Sequence, residues 1–80
     1  MSKNVTIITY PEGTILKSYD TFVAIKPIAA EYMVTSKWHS STTTRQINNF
    51  LGGKEITEEA AKVSQALLDN MGKFLEAYHK

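Results

Sequence analysis

The 80-residue sequence contains no cysteine, a single tryptophan, two prolines and almost no net charge. Without cysteine, a disulfide scaffold, a cysteine nucleophile and a thiolate zinc site are excluded. Nine basic residues against eight acidic ones give a net charge of +1, typical neither of a strongly basic nucleic-acid coat nor of an acidic DNA mimic. No apolar run approaches the roughly 20 residues of a membrane-spanning helix, and no signal-peptide core is visible. These features predict a single cytoplasmic domain spanning residues 1–80, with no membrane contact.

The first half of the sequence is rich in β-branched residues and predicts an antiparallel sheet of four strands within residues 5–36. The predicted strands are residues 5–10, 14–19, 21–26 and 31–36, with turns at Pro11–Gly13 and Tyr19–Asp20. Alternation along the third strand places Val23 and Ile25 on one face of the sheet. Phe22 and Ala24 then fall on the other face. Pro27 cannot donate a ladder hydrogen bond, so it is expected to end that strand or to lie at an edge of the sheet.

The second half predicts two helices, near residues 43–51 and 58–78. Thr43 and Gln46 have the spacing of a capping box, and Gly52-Gly53 supplies a left-handed stop. Thr57 is the expected cap of the longer helix. Its apolar stripe is predicted to comprise Ala60, Val63, Ser64, Leu67, Met71, Phe74, Leu75 and Tyr78. Strands followed by helices indicate an α+β domain in which the short and the long helix cover one face of the sheet.

Groups able to perform catalysis are scarce. His39 follows Trp38 between the predicted sheet and helices, His79 is the penultimate residue, and Asp20 and Asp69 are expected in a turn and on a solvent-facing helix surface. The sequence shows no carboxylate pair, metal-ligand spacing or phosphate-binding glycine loop. We therefore expect a protein that is not an enzyme and that uses no cofactor and no metal.

The segment from Ser36 to Arg45 allows two interpretations. As a recognition surface, it would offer Lys37, Trp38, His39 and Arg45 to a partner, with the aromatic ring stacking or filling a pocket. As a structural element, its hydroxyl groups would cap the helix while Trp38 fills the gap between helix and sheet. The second interpretation is favoured because a small core needs its only tryptophan.

Two blocks of residues carry a family resemblance. The first runs from Ser18 to Ile25; the second contains Trp38, Ser41, Thr43-Thr44, Ile47-Asn48 and Phe50-Leu51. Together they resemble small uncharacterised proteins of bacteriophages and mobile elements, whose signature is approximately S-Y-x-T-x-V-A followed by S-x-T-T-x-x-[HQ]-I-N-x-[FW]-L. The resemblance covers roughly residues 15–51, with Gln46 at the [HQ] position. It implies a phage-type accessory protein acting in the cytoplasm of a bacterial host.

These observations lead to two functional hypotheses. The first is an interaction protein that binds and inhibits or modulates a bacterial protein or ribonucleoprotein complex, in the manner of an anti-CRISPR protein or a host-takeover inhibitor. The alternative is a nucleic-acid-binding accessory protein. Residues 1–50 hold five basic and three acidic groups, which is weak for a dedicated nucleic-acid binder. The apolar stripe of the long helix is also compatible with a homodimer, although covering its own sheet is the preferred role.

Overall fold

The computed structural model describes residues 5–79, and within them the chain forms one sheet and three helices. In chain order the elements are β1 (Val5–Tyr10), β2 (Gly13–Ser18), β3 (Thr21–Pro27), β4 (Met33–Thr35), α1 (Ser41–Leu51), α2 (Lys54–Glu59), β5 (Ala61–Val63) and α3 (Gln65–Tyr78). The α+β class is therefore confirmed, and so is the antiparallel order of the first four strands. The described sheet has a fifth strand that the sequence pattern did not predict.

Tight turns connect the first three strands. Pro11 and Glu12 form a two-residue connection between Tyr10 and Gly13, which are paired. Tyr19 and Asp20 both adopt left-handed backbone angles, with φ of 53° and 67°. Two consecutive left-handed residues match the twist of the flanking strands in a two-residue hairpin. Both turns lie where the sequence predicted them, and β3 ends at Pro27 as expected.

The predicted long C-terminal helix is confirmed as α3, but its predicted start near residue 58 is wrong, because the chain leaves the helical path between α2 and α3. Ala60 has an extended backbone, and residues 61–63 pair in parallel with β4. The ammonium group of Lys62 donates to the carbonyl oxygens of Thr57, Glu58 and Ala60 and so satisfies the end of α2. Thr57 therefore lies inside α2 rather than at its start. Hydrogen bonding to β4 has overridden the local helical pattern.

The helices cover both faces of the sheet, which corrects the prediction that they share one face. Adjacent residues of β2 point to opposite sides: Leu16 belongs to a buried cluster with Ile47 and Leu51 of α1. Ile15 belongs to a second cluster with Leu68 of α3. The sheet therefore lies between α1 and α3, and each face has its own small core.

A β-bulge changes which residues of β3 share a face. The pairing of β2 with β3 shifts between Leu16 and Lys17, so Val23 is an extra residue between Ala24 and Phe22. Val23 and Ala24 both join the core on the α1 side, whereas Phe22 and Ile25 join the core on the α3 side. The predicted alternation of these four residues is wrong for this reason, since a bulge breaks the period of two.

The buried side of α3 is also displaced from the predicted stripe. Leu68 and Gly72 are buried, while Leu67, Phe74 and Tyr78 are 44%, 66% and 68% exposed. Gly72 lies directly against the ring of Phe22, where a Cβ atom would overlap the ring. This close approach brings the helix axis near the sheet and determines which side of α3 faces it.

Candidate binding groove at the strand-to-helix junction

The junction consists of residues 36–40, between the end of β4 and the start of α1. At its first end, the Thr35 hydroxyl accepts a hydrogen bond from the backbone N–H of Lys37, at 3.1 Å. At its other end, the side chain of Ser40 accepts from the backbone N–H of Thr43, also at 3.1 Å. Ser40 is therefore the cap of α1, three residues earlier than the predicted cap Thr43. These two local bonds fix the two ends of the junction.

Thr43 instead takes part in a buried network of hydroxyl and amide groups. Ser18, at the end of β2, donates to the Gln46 side-chain oxygen at 2.8 Å and lies 3.3 Å from the Thr43 hydroxyl. Ser40 donates to the same hydroxyl at 3.1 Å. Ser18 belongs to the first of the two sequence blocks that carry the resemblance described above, while Thr43 and Gln46 lie in the second. The network thus joins the two blocks and gives these three residues a structural role.

Trp38 is exposed, so the prediction that it fills the core is wrong. Its side chain is 70% exposed, although it is the only tryptophan in the sequence. The space beneath α1 is filled by Val34, Ile47 and Leu51, all buried. The Trp38 ring therefore lies at the surface and takes no part in that core.

The side chain of His39 links the junction to α3. Its Nε2 atom lies 2.9 Å from the side-chain oxygen of Gln65, which also accepts from the Thr35 hydroxyl at 2.8 Å. The Gln65 amide donates to the carbonyl of Phe22 and to a carboxylate oxygen of Asp69. The amide oxygen can only accept, so Nε2 of His39 carries the proton in this arrangement. His39 therefore orients the junction by fixing it to α3.

The junction forms one wall of an open groove of about 300 Å³. The lining residues are Val34, Thr35, Ser36, Lys37, Trp38, His39, Thr43, Thr44, Ile47, Thr57 and Lys62. The lining includes two lysines but no carboxylate. Its apolar part is made of Val34, Ile47 and the methyl groups of the threonines. The groove suits a partner that presents an apolar group together with negative charge.

Three of the four predicted site residues line this groove together. Of these three, Lys37 and Trp38 are exposed and His39 is half-buried. Arg45 lies outside the lining, on an exposed position of α1. Lys62 was not predicted as a site residue, because only the parallel pairing of β5 with β4 brings it there. Its ammonium group is held by the end of α2, so it contributes a fixed positive charge.

Elsewhere in the described chain, two observations bear on chemistry. No three histidine, aspartate or glutamate side chains within residues 5–79 come close enough to form a metal-binding group. At the far end of α3, His79 donates to Glu12 at 2.7 Å, and this hydrogen bond holds the pKa of the Glu12 carboxyl below its ordinary value. That pair is exposed and joins α3 to the β1–β2 turn.

None of the helices over residues 5–79 has the length and apolar character needed to cross a membrane.

Comparison with known proteins places the chain in a family without assigning it an activity. The family described as "Family of unknown function (DUF8033)" matches residues 1–70. This range includes the whole sheet, the junction and the first turns of α3. No curated protein and no solved structure matches the chain. Since the family match covers most of the sequence, the chain belongs to the DUF8033 family.

Proposed function

We propose that the protein is a non-enzymatic binding protein whose partner docks in the junction groove, with Trp38 as the main anchor. The observation that carries the proposal is the 70% exposure of this ring at the edge of a concave surface. Tryptophan is enriched among residues that dominate binding energy, because its large ring gains much from leaving water. Because Trp38 does not contribute to the core, its ring is available to bind a partner.

The groove favours a protein partner. The lining surface of the groove is mostly apolar, which suits an inserted side chain better than a phosphate backbone. Lys37 offers an exposed charge in the lining, and Arg45 offers another on α1 outside it. Acidic residues around an apolar contact on the partner would complement them. The resemblance described above supports a bacterial protein or ribonucleoprotein complex as this partner, in the host cytoplasm, and inhibition or modulation of that complex as the outcome.

The proposal is tested by capturing partners with tagged protein from a bacterial lysate treated with nuclease, followed by titration of the purified partner. We expect Trp38→Ala to weaken binding at least tenfold, equivalent to about 1.4 kcal/mol. Lys37→Ala and Arg45→Ala should each weaken it less, because exposed charges contribute less than a desolvated ring. Circular dichroism should show that all three variants keep their fold.

Phe74→Ala is the matched control, since Phe74 is similarly exposed but lies on α3, on the opposite side of the sheet. If Phe74→Ala weakens the interaction and Trp38→Ala does not, the docking surface is on α3 and the proposal is wrong. The same conclusion follows if no junction variant changes the affinity of the captured partner.

Nucleic acid is the second candidate, favoured by the absence of carboxylates from the groove lining. A base could stack on Trp38 while lysines contact phosphates. Because Trp38 is the only tryptophan, its fluorescence reports directly on this site. Quenching by single-stranded DNA or RNA that weakens steeply with added salt would support this candidate. Unchanged fluorescence with these oligonucleotides would exclude nucleic-acid binding at Trp38 and favour a protein partner.

A further inference from the structure

The two edges of the sheet differ in how they are protected from pairing with other strands. The β5 edge is only three residues long and carries Lys62 at its centre, and short charged edges resist further pairing. β1, at the opposite edge, is six residues long and contains neither charge nor proline. It is composed almost entirely of β-branched residues, which favour extended structure.

The free backbone groups of β1 belong to Val5, Ile7 and Thr9. Tyr10 and Gly13 close a two-residue hairpin, so these two residues exchange both of their ladder hydrogen bonds. The alternation of antiparallel pairing then directs Thr6 and Ile8 toward β2 as well. The N–H and C=O groups of Val5, Ile7 and Thr9 therefore point away from β2, and no hydrogen bond from residues 5–79 reaches them.

We infer that β1 is a self-association surface on which β1 of a second copy of this chain pairs in antiparallel orientation about Ile7. Only a strand presents the alternating donors and acceptors that this edge requires. The sequence around Ile7 identifies a second copy as that strand, because Val5-Thr6-Ile7-Ile8-Thr9 is nearly symmetric in shape. Reversed against itself, it places valine opposite threonine and threonine opposite isoleucine, with isoleucine on isoleucine at the centre.

Charge is compatible with this pairing. No residue of β1 is charged, so no like charges face each other across the two-fold axis. Ile7 is 58% exposed, and contact with its symmetry mate would cover part of that surface. An isologous contact of this kind closes on itself after two copies and does not propagate into a fibre. The contact is small, so the dimer belongs to the weak, concentration-dependent class.

Residue 7 meets its own copy in this register, and that provides a sharp test. Ile7→Lys and Ile7→Glu each place two like charges on the axis, which destabilises the pair. We expect each variant to form the dimer at least tenfold more weakly than the parent in sedimentation velocity. Mixing the two variants places lysine opposite glutamate and should restore association to within about threefold of the parent. Restoration on mixing separates pairing at Ile7 from a simple loss of folding.

Amide exchange gives a second readout that does not depend on a substitution. Raising the protein concentration should slow exchange at Val5, Ile7 and Thr9, while Thr6 and Ile8 remain protected at every concentration. Phe74→Lys serves as the control for association through the exposed side of α3 and should leave the dimer unchanged. The inference is overturned if the parent remains monomeric at about 1 mM. Loss of the dimer in Phe74→Lys with survival in both Ile7 variants would also overturn it.

Discussion

Leu67 and Leu68 are neighbours in α3 with opposite surroundings, and they allow a direct test of which side faces the sheet. Leu68 is completely buried, whereas Leu67 is 44% exposed. Leu68→Ala should lower the free energy of unfolding by about 2–5 kcal/mol, because it leaves a cavity against Ile15 and Ile25. Leu67→Ala should change it by about 0.5–1 kcal/mol. Urea denaturation of both variants measures the difference; equal losses would contradict the observed helix orientation.

Gly72 offers a test in which the sign of the effect is informative. In an exposed helix, replacing glycine by alanine raises helix stability by about 1 kcal/mol. Here the new Cβ atom would overlap the Phe22 ring, so Gly72→Ala should lower the free energy of unfolding by about 1–3 kcal/mol. Phe22→Leu in the same background should recover part of the loss. A Gly72→Ala variant with a higher melting temperature than the parent would mean that α3 lies farther from the sheet.

The sequence predicts which segment of the chain contains the candidate site, but not how the side chains of the site are arranged. Lys37, Trp38 and His39 were recognised because an aromatic ring, a cation and an imidazole occur together in the sequence. Trp38 is left exposed because Ile47 and Leu51 of α1 already fill the core on that side of the sheet. The sequence alone does not show that these two residues are sufficient to fill it. Lys62 is distant in sequence and reaches the groove only through strand pairing. Such contacts leave no local pattern in a single sequence.

At the scale of elements, the last turn of α3 is fastened to the β1–β2 turn by Glu12 and His79. The His79 ring also stacks on Tyr10, with ring centroids 4.7 Å apart. Because the folded-state pKa of Glu12 is lowered, this contact stabilises the helix end above the ordinary pKa of the carboxyl. Its contribution is lost as the pH falls through the lowered pKa value.

Amide exchange at the end of α3 measures this dependence. Acidification should lower the protection factors of the Leu75 and His79 amides, measured against an unstructured peptide at the same pH, more in the parent protein than in Glu12→Gln, which has no carboxyl to protonate. Exchange at Leu68, in the buried part of the helix, is the internal reference. Identical pH profiles at the helix end in the two proteins would show that the carboxylate does not hold it.

The elements divide clearly into those that local pattern determines and those that it does not. Strands β1 to β3 were predicted within a residue or two, because β-branched runs and turn residues act locally. β5 was missed because Ala61-Lys62-Val63 also fits a helix, and only the free edge of β4 makes it a strand. Ser64, predicted within the apolar stripe, instead caps α3 by accepting from Leu67. The bulge at Val23 likewise depends on the partner strand.

At the scale of the whole molecule, each face of the sheet has its core covered by one helix, α1 on one side and α3 on the other. A chain ending at Gly53 keeps β1 to β4 and α1 but loses α3, which uncovers Ile15, Phe22 and Ile25. We expect this fragment to lack a cooperative thermal transition in circular dichroism. A chain ending at Tyr78, which keeps α3, should still unfold cooperatively. A cooperative transition in the shorter fragment would mean that the core on the α1 side is sufficient.

The parallel pairing of β4 with β5 also has a consequence for the order of folding. The β1–β3 meander closes through two-residue turns, whereas Met33 and Ala61 pair across a crossover that contains α1 and α2. Closing the longer loop costs more chain entropy, so this strand should dock after the rate-limiting step. In stopped-flow experiments, Val63→Ala should therefore speed unfolding and leave refolding nearly unchanged, while Ile15→Val should slow refolding. Slower refolding of Val63→Ala would instead place the crossover within the folding nucleus.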